Sequence, residues 1–137
     1  MTFTDAVRTC FSKFATFEGR AGRPEFWWWF LFTILVSLVG YVPLLLLTII
    51  GTATADEGGA VAGVFTLLSV IFWILWAILV IALLIPTLAV GCRRLHDRGQ
   101  SGWLLLLYLV PCGNIVLLVF WLLEGTPGDN QYGPQPA

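Results

Sequence analysis

Three long stretches of the chain contain no Asp, Glu, Lys or Arg, and they constrain its fold more than any other feature. They cover residues 26–55, 58–92 and 99–123 and are 30, 35 and 25 residues long. A helix needs about 20 apolar residues to cross the hydrocarbon core of a membrane, so each stretch is long enough. Core helices of soluble proteins rarely run so far without a charge. The stretches therefore predict an all-α membrane protein.

The composition excludes several classes of soluble protein. Hydrophobic residues make up 58% of the 137 residues and charged residues 11%, whereas an ordinary soluble domain carries about 25% charged residues. Fifteen charges cannot solvate a small globule this apolar, because small domains leave much of their surface exposed. The net charge of −1 provides no attraction to a polyanion. We expect one integral membrane domain that binds no nucleic acid.

The distribution of basic residues predicts the orientation in the membrane. The region before residue 26 contains four Lys and Arg residues and residues 93–98 contain three, whereas the 56–59 loop and the tail contain none. Basic residues stay on the cytoplasmic side of membrane proteins. The N-terminus and residues 93–98 are therefore predicted to be cytoplasmic, and the 56–59 loop to be external.

Hydrophobic periodicity and polarity divide the chain into segments. Apolar residues recur at helical spacing over residues 3–17, which predicts an amphipathic helix. This helix either lies flat at the cytoplasmic interface or packs its apolar stripe on the protein's own loops. A first span is predicted at 25–50 and a second at 61–91, and the tail, 124–137, is polar and rich in turn-forming residues.

The third apolar segment, 102–123, admits two interpretations. It is long enough for one span, but Pro111, Cys112, Gly113 and Asn114 interrupt its centre with turn-forming residues. Broken backbone at membrane depth is tolerated only where it is buried in protein or lines water. The segment is either one kinked span or a re-entrant hairpin. We favour the kinked span, although the charge rule does not decide, because the tail contains no Lys or Arg.

Three polar motifs flank the apolar stretches. They read G-R-A-G-R-P-E-F-W at 19–27, R-R-L-H-D-R-G-Q-S-G-W at 93–103 and G-T-P-G-D-N-Q-Y-G-P at 125–134. Together with Phe17, and in this order, they resemble the bacterial inner-membrane proteins grouped as domain of unknown function 805. That family carries F-x-G-R-x-x-R-x-E-F/Y-W, R-R-L-H-D-x-x-x-S-G/A-W and P-G-x-N-x-Y/F-G-P. The resemblance implies a multi-pass protein of the bacterial inner membrane, and it implies no reaction.

The motifs contain a candidate site for membrane headgroups or partner proteins. Its members are charged or polar side chains: Arg20, Arg23, Glu25, Arg93, Arg94, His96, Asp97, Arg98 and Asn130. Five arginines and two carboxylates leave an excess of three positive charges, which would attract phosphate groups or acidic protein segments. Two interpretations stay open. The arginines form a ring of pairs with carboxylates that holds the first span against the second, or they bind anionic lipid headgroups.

Two other functional classes are alternatives. A membrane-interface enzyme would use His96 as a base with Asp97 and Ser101, but neighbours on one helix do not face each other, so His96 and Asp97 form no orienting pair. An oligomeric channel or transporter component is the second alternative, although no Asp, Glu, Lys, Arg or His lies in the interior of a predicted span. We expect no metal and no cofactor, because the three cysteines lack paired spacing. The expected protein is non-enzymatic, with membrane lipids, another copy of itself or another membrane protein as partner.

Overall fold

The computed structural model describes residues 1–55 and 59–136, so most of the predicted 56–59 loop lies outside the described residues. Within these ranges the chain is helical and forms no strand, apart from one isolated bridge in the tail. The helices are α1 (Phe3–Ser12), α2 (Arg23–Ala53), α3 (Gly59–Asp97), a 3-10 helix (Gly102–Leu109) and α4 (Gly113–Leu122). The predicted all-α membrane fold is confirmed. The chain forms two compact units, Met1–Phe32 with Leu84–Ala137, and Thr33–Leu83.

The helices α2 and α3 are both long enough and apolar enough to cross a membrane. They contain 31 and 39 residues, which at 1.5 Å per residue corresponds to about 46 and 58 Å. The hydrocarbon core of a bilayer is about 30 Å thick. Each helix can therefore span the core and continue beyond it. In α3 this continuation carries Arg93 to Asp97.

In the unit Thr33–Leu83, α2 and α3 are packed through a small residue that faces a large one. The Trp76 ring lies directly over Gly40, where a Cβ atom would overlap it. Tyr41 meets the same ring edge-on, with the ring centroids 6.0 Å apart. Small residues allow helices to approach closely in membranes. The outward side chains of this unit, such as Leu38 and Ile78, are exposed and apolar.

In the other unit, α1 packs on the first turns of α2. Ala6 and Cys10 are fully buried. The Phe11 ring meets Trp29 and Phe32 edge-on, with centroid distances of 5.2 and 5.9 Å. The apolar stripe of α1 therefore contacts the protein itself, through aromatic residues of α2 rather than through loops.

The helix α1 ends at Ser12, five residues before the predicted end at residue 17. Beyond Lys13 the chain leaves the helix to reach α3, and Gly19 adopts a φ of +85°, a left-handed conformation that favours glycine. The turn directs two backbone carbonyls at α3. The Phe17 carbonyl accepts a hydrogen bond from Cys92 Sγ at 3.7 Å, and the Gly19 carbonyl accepts one from His96 Nδ1 at 3.1 Å.

The segment 102–123 is a helical hairpin. The 3-10 helix and α4 are joined by a turn in which Cys112 has a φ of +64°, and the Tyr108 and Trp121 rings of the two arms lie 6.0 Å apart. This turn reverses the chain, which fits the re-entrant alternative rather than the single kinked span that the sequence favoured. The side of the membrane on which the tail lies stays a prediction.

The hairpin is docked on α3 at Gly91. A Cβ atom at Gly91 would lie 3.4 Å from the Trp121 ring and 3.5 Å from Leu105, so both arms contact this position. The Trp121 indole N–H also donates to the Gly91 carbonyl at 3.3 Å. The arms are eight and ten residues long, which corresponds to about 16 and 15 Å at the rises of the two helix types. Each arm therefore reaches about half of the ~30 Å hydrocarbon thickness.

Substitution of Gly113 by Ala is expected to separate the hairpin arms. A Cβ atom at Gly113 would overlap the backbone carbonyl of Leu107, and a backbone atom cannot move aside as a flexible side chain does. Overpacking of this kind costs about 1–3 kcal/mol. The melting temperature of the purified protein in detergent should fall. Gly63→Ala is the control, since a Cβ at Gly63 meets nothing within 4 Å. Equal melting temperatures for both variants would contradict the hairpin packing.

Candidate functional site

The Asp97 carboxylate lies at the centre of the polar site and pairs with two arginines. Arg20 approaches one oxygen, with its Nη2 at 2.9 Å and its Nε donating at 3.0 Å. Arg94 donates to the other oxygen. The three side chains, which we call the Asp97 cluster, are each at most 5% exposed. A buried charge is stable only when it is paired and its remaining hydrogen-bonding groups are satisfied. The surrounding backbone carbonyls accept hydrogen bonds from the remaining N–H groups of the two arginines.

Arg94 ties the end of α4 to α3. Its Nε donates to the Trp121 carbonyl at 3.2 Å and its Nη2 donates to the Leu123 carbonyl. The last carbonyls of a helix have no partner inside the helix. A cation placed there satisfies them and also interacts favourably with the negative end of the helix dipole. Arg94 therefore fixes the second arm of the hairpin at the cytoplasmic end predicted for α3.

Arg20 holds the tail in the same way. Its guanidinium donates to the carbonyls of Thr126 at 2.7 Å, Gly128 at 2.6 Å and Gly133 at 3.3 Å. Thr126 in turn donates to the Asp97 carbonyl from its backbone N–H at 2.8 Å and from its hydroxyl at 3.0 Å. The first and third motifs therefore meet at the last turn of α3.

Asn130 and Tyr132 complete the attachment of the tail. The Asn130 amide donates to the His96 carbonyl at 2.9 Å, and its oxygen accepts the Tyr132 N–H at 2.9 Å. The Tyr132 ring is stacked on the His96 imidazole, with the centroids 3.9 Å apart and the planes at 3°. His96 Nδ1 faces the Gly19 carbonyl, which can only accept, so Nδ1 carries the proton. The stack closes the tail over the end of α3.

Arg93 and Glu25 form a second buried pair, which links α3 to the start of α2. Arg93 Nη1 lies 2.6 Å from Glu25 Oε1, and the two side chains are 1% and 6% exposed. The Cys10 thiol of α1 is buried beside them. Burial raises the pKa of Cys10 to about 12, and the Glu25 charge adds to this increase. The thiol is therefore neutral at physiological pH and packs as a small apolar group.

Arg23 and Arg98 differ from the other arginines of the site. Arg23 is exposed, and Arg98 forms no salt bridge with another described residue. Arg23 pairs with Glu124 at 2.6 Å, but the two side chains are 45% and 83% exposed. The Arg98 guanidinium lies over the Phe120 ring at 5.7 Å. Both arginines are close enough to Arg94 to repel its charge. Together they form a basic patch beside α4.

The structure brings all nine predicted site residues into one unit of the protein. Glu124 joins them, so five arginines face three carboxylates and the excess is two positive charges rather than the predicted three. The charges of Arg20, Arg93 and Arg94 are directed inward, as the interpretation of a structural ring requires. The ring also holds the hairpin and the tail, which was not predicted.

Several residues of the motifs have roles in the site that the sequence did not predict. Thr126 donates to the Asp97 carbonyl from its backbone N–H and its side-chain hydroxyl. Gly125 is packed so closely against the Asp97 carboxylate that a Cβ atom would overlap it. Neither role has a characteristic pattern. Tyr132 stood in the third motif, but its stacking on His96 depends on the return of the tail. Ser101 caps the 3-10 helix by accepting the Trp103 N–H at 3.3 Å.

A cavity of about 1100 Å³ lies beside the polar site. Its wall consists of α3, the 3-10 helix, Tyr132 and the turn after α1, and it is almost entirely apolar. A smaller pocket of about 380 Å³ is lined by Arg23, Glu124 and the tail. Within residues 1–55 and 59–136, no three His, Cys, Asp or Glu side chains gather into a group that could hold a metal ion.

These features define a helical membrane protein whose three polar motifs form one arginine–carboxylate site. The sequence matches the family described as Protein of unknown function (DUF805) over residues 14–134, and the chain belongs to this family. It is 35% identical to the Escherichia coli inner membrane protein YhaH over 125 residues, which cover 90% of this chain and 89% of YhaH. It is 36% identical to the E. coli inner membrane protein YhaI over 125 residues, covering 90% and 88%. No solved structure matches the chain significantly.

The names of these relatives agree with the predicted location. Both are inner membrane proteins, and this chain has two helices suited to cross a membrane. The family resemblance found from the three motifs is confirmed, and the protein is an inner-membrane protein of a family without an assigned function.

Substitution of Asp97 by Asn is expected to destabilise the fold strongly. It would leave two buried guanidinium groups without a counter-charge, and breaking a buried pair costs about 3–5 kcal/mol. Glu124→Gln removes the exposed pair with Arg23 and should cost at most about 1 kcal/mol. The free energy of unfolding in mixed micelles measures both effects. A cost for Asp97→Asn no larger than that for Glu124→Gln would show that the Asp97 cluster is not the structural centre.

Proposed function

We propose that this protein is a non-enzymatic, multi-pass membrane protein that binds anionic lipid headgroups at its cytoplasmic face, through Arg98 and Arg23. The observation that carries the proposal is the state of Arg98. Its Nε is buried and has no hydrogen-bond partner among the residues that the structure describes. Nε and Nη2 of Arg93 are also buried without a partner there, but Arg93 and the other three arginines of the site each pair with a carboxylate, whereas Arg98 pairs with none of the described carboxylates. A buried donor without a partner is costly, and a phosphate oxygen would satisfy it.

The surroundings of Arg98 suit a lipid rather than a free anion. Its guanidinium covers the Phe120 ring of α4, and Val119 of α4 and Leu123, which follows the helix, are exposed and apolar. An acyl chain can lie along this helix while the headgroup contacts the arginine. Basic groups at the cytoplasmic leaflet attract anionic lipids in this way.

Arg23 can supply a second contact to the same phosphate. Its pair with Glu124 is exposed, and an exposed pair contributes at most about 1 kcal/mol. Phosphate accepts two parallel hydrogen bonds from an arginine, so it competes well for such a side chain. The proximity of both arginines to Arg94 keeps the local potential positive.

The environment of His96 supports a non-enzymatic role. Its Nδ1 is bonded to the Gly19 carbonyl rather than to a carboxylate. Asp97 is held by two arginines, so it does not orient the imidazole. A general base of the triad type needs an orienting acid and a nucleophile within reach. His96 instead serves to join the tail to α3.

Arg98→Gln should reduce the amount of anionic lipid that stays bound through purification. Loss of a charge-assisted hydrogen bond costs about 1.5–3 kcal/mol, so bound phosphatidylglycerol should fall about tenfold or more, as quantified by mass spectrometry of extracted lipid. The control is Arg8→Gln on the exposed face of α1, for which a reduction of at most about fivefold is expected. Equal reductions in the two variants would refute the Arg98 site. The melting temperature shows whether each variant is folded.

The N-terminus and the tail are both proposed to be cytoplasmic. The basic residues support this orientation, and the tail is bonded to Arg20 and to the Asp97 carbonyl. In a cysteine-free background, Lys13→Cys and Gln131→Cys should react with a membrane-impermeant maleimide only after the cells are opened. Gly58→Cys should react in intact cells. Reaction of Gln131→Cys alone would contradict the hairpin, and reaction of both Lys13→Cys and Gln131→Cys would reverse the orientation.

A further inference from the structure

We propose that the cavity of about 1100 Å³ is a second lipid site with a different headgroup preference. It binds an acyl chain of a phospholipid whose headgroup carries a primary ammonium, of the ethanolamine type. The cavity is lined by Leu84, Leu88, Leu106 and Leu109, with His96 and Glu18 among its few polar members. Ligand sites in proteins typically have volumes of about 300–1,000 Å³ and mostly apolar walls. This volume suits a long apolar ligand.

The length of the cavity matches one leaflet of a bilayer. Leu84, Leu88, Cys92 and His96 line it at a spacing of four residues along α3, so they follow one face of the helix. The 12 residues from Leu84 to His96 correspond to about 18 Å. One leaflet provides half of the ~30 Å hydrocarbon thickness. An acyl chain that enters beside His96 can therefore extend along this wall for its full depth in the leaflet.

The charge at the polar end selects the headgroup. Glu18 is the carboxylate in the lining, and no Lys or Arg of the described chain lines the cavity. Glu18 is exposed and forms no salt bridge with another described residue. A carboxylate without a counter-ion attracts an ammonium group and repels an anionic headgroup. The cavity therefore complements an ethanolamine headgroup, whereas the Arg98 patch complements an anionic one.

Hydroxyl groups near Glu18 can hold the phosphate of the same lipid. Ser101 lines the cavity and its oxygen accepts the Trp103 N–H, which leaves the hydroxyl proton free to donate. Tyr132 also lines the cavity, stacked on His96. Glu18 adjoins Gly19, whose carbonyl contacts His96, so these groups occupy one end of the cavity.

This site is separate from the proposed anionic site. Arg98, Arg23 and Phe120 do not line the cavity. The two sites can therefore be tested independently, and failure of one does not remove the other.

The test measures lipid binding to the purified full-length protein by native mass spectrometry. The protein is offered equal amounts of phosphatidylethanolamine and phosphatidylglycerol in detergent. Leu106→Trp fills the cavity and should reduce bound phosphatidylethanolamine about tenfold or more. Leu38→Trp is the matched control, because Leu38 and Leu106 are 55% and 54% exposed and Leu38 lies outside the cavity. If Leu106→Trp does not fold, Leu84→Trp blocks the opposite wall.

The headgroup preference is tested by Glu18→Gln, with Asp129→Asn as the control carboxylate. Loss of one exposed charge contact should reduce the preference for phosphatidylethanolamine over phosphatidylglycerol about threefold, while Asp129→Asn leaves it unchanged. Unchanged phosphatidylethanolamine binding in both cavity variants, or an unchanged preference in Glu18→Gln, would overturn the proposal. The proposal would also be overturned if the protein were a dimer that Leu106→Trp dissociates without changing lipid binding. In that case a second copy of the chain, rather than a lipid, would occupy the cavity. Phosphatidylglycerol binding that falls in Arg98→Gln but not in Leu106→Trp would distinguish the anionic site from the cavity.

Discussion

The attraction between one buried carboxylate and two buried guanidinium groups is the interaction on which the rest of this unit depends. Asp97 lies where α3 ends, and its two oxygens separate Arg20 from Arg94. Without the carboxylate, two like charges would lie together in a medium of low dielectric constant, where their repulsion is strong. When the Asp97 carboxylate pairs with both arginines, each guanidinium still has N–H groups that can donate elsewhere. These N–H groups donate to the backbone carbonyls of α4 and the tail. The ion pairs therefore organise the irregular parts of the chain.

This arrangement assigns different tasks to residues of one chemical type. Arg94 satisfies carbonyls at the end of a helix, and Arg20 satisfies the carbonyls of Thr126 and Gly128 in the tail. Arg93 joins α3 to α2 through Glu25. Arg98 pairs with no carboxylate among the described residues, and the lipid site proposed for it rests on that difference. Counting the arginines as one basic face would hide this division.

The sequence was sufficient for the features that depend on local composition and spacing. The charge-free stretches predicted the long helices, and the motifs contained the arginines and carboxylates of the candidate site, which lie in one unit of the structure. The hairpin was harder to predict, because Pro111 to Asn114 are compatible with a kink or a reversal. What decides between them is Arg94, which bonds carbonyls 27 and 29 residues further along the chain. The early end of α1 has a similar cause, since Gly19 turns toward His96. Such long-range hydrogen bonds leave no periodic pattern.

The distance along the chain between Arg20 and its acceptors has a consequence for the order of folding during synthesis. Arg20 emerges from the ribosome early, but the carbonyls of Thr126 and Gly128 are made 106 and 108 residues later. Closing such a long loop is slow compared with local helix formation. The membrane helices can form while the chain is still growing, whereas the site cannot close until synthesis has passed Gly133. Closure of the Arg20 contacts is therefore a late step that follows formation of the membrane helices.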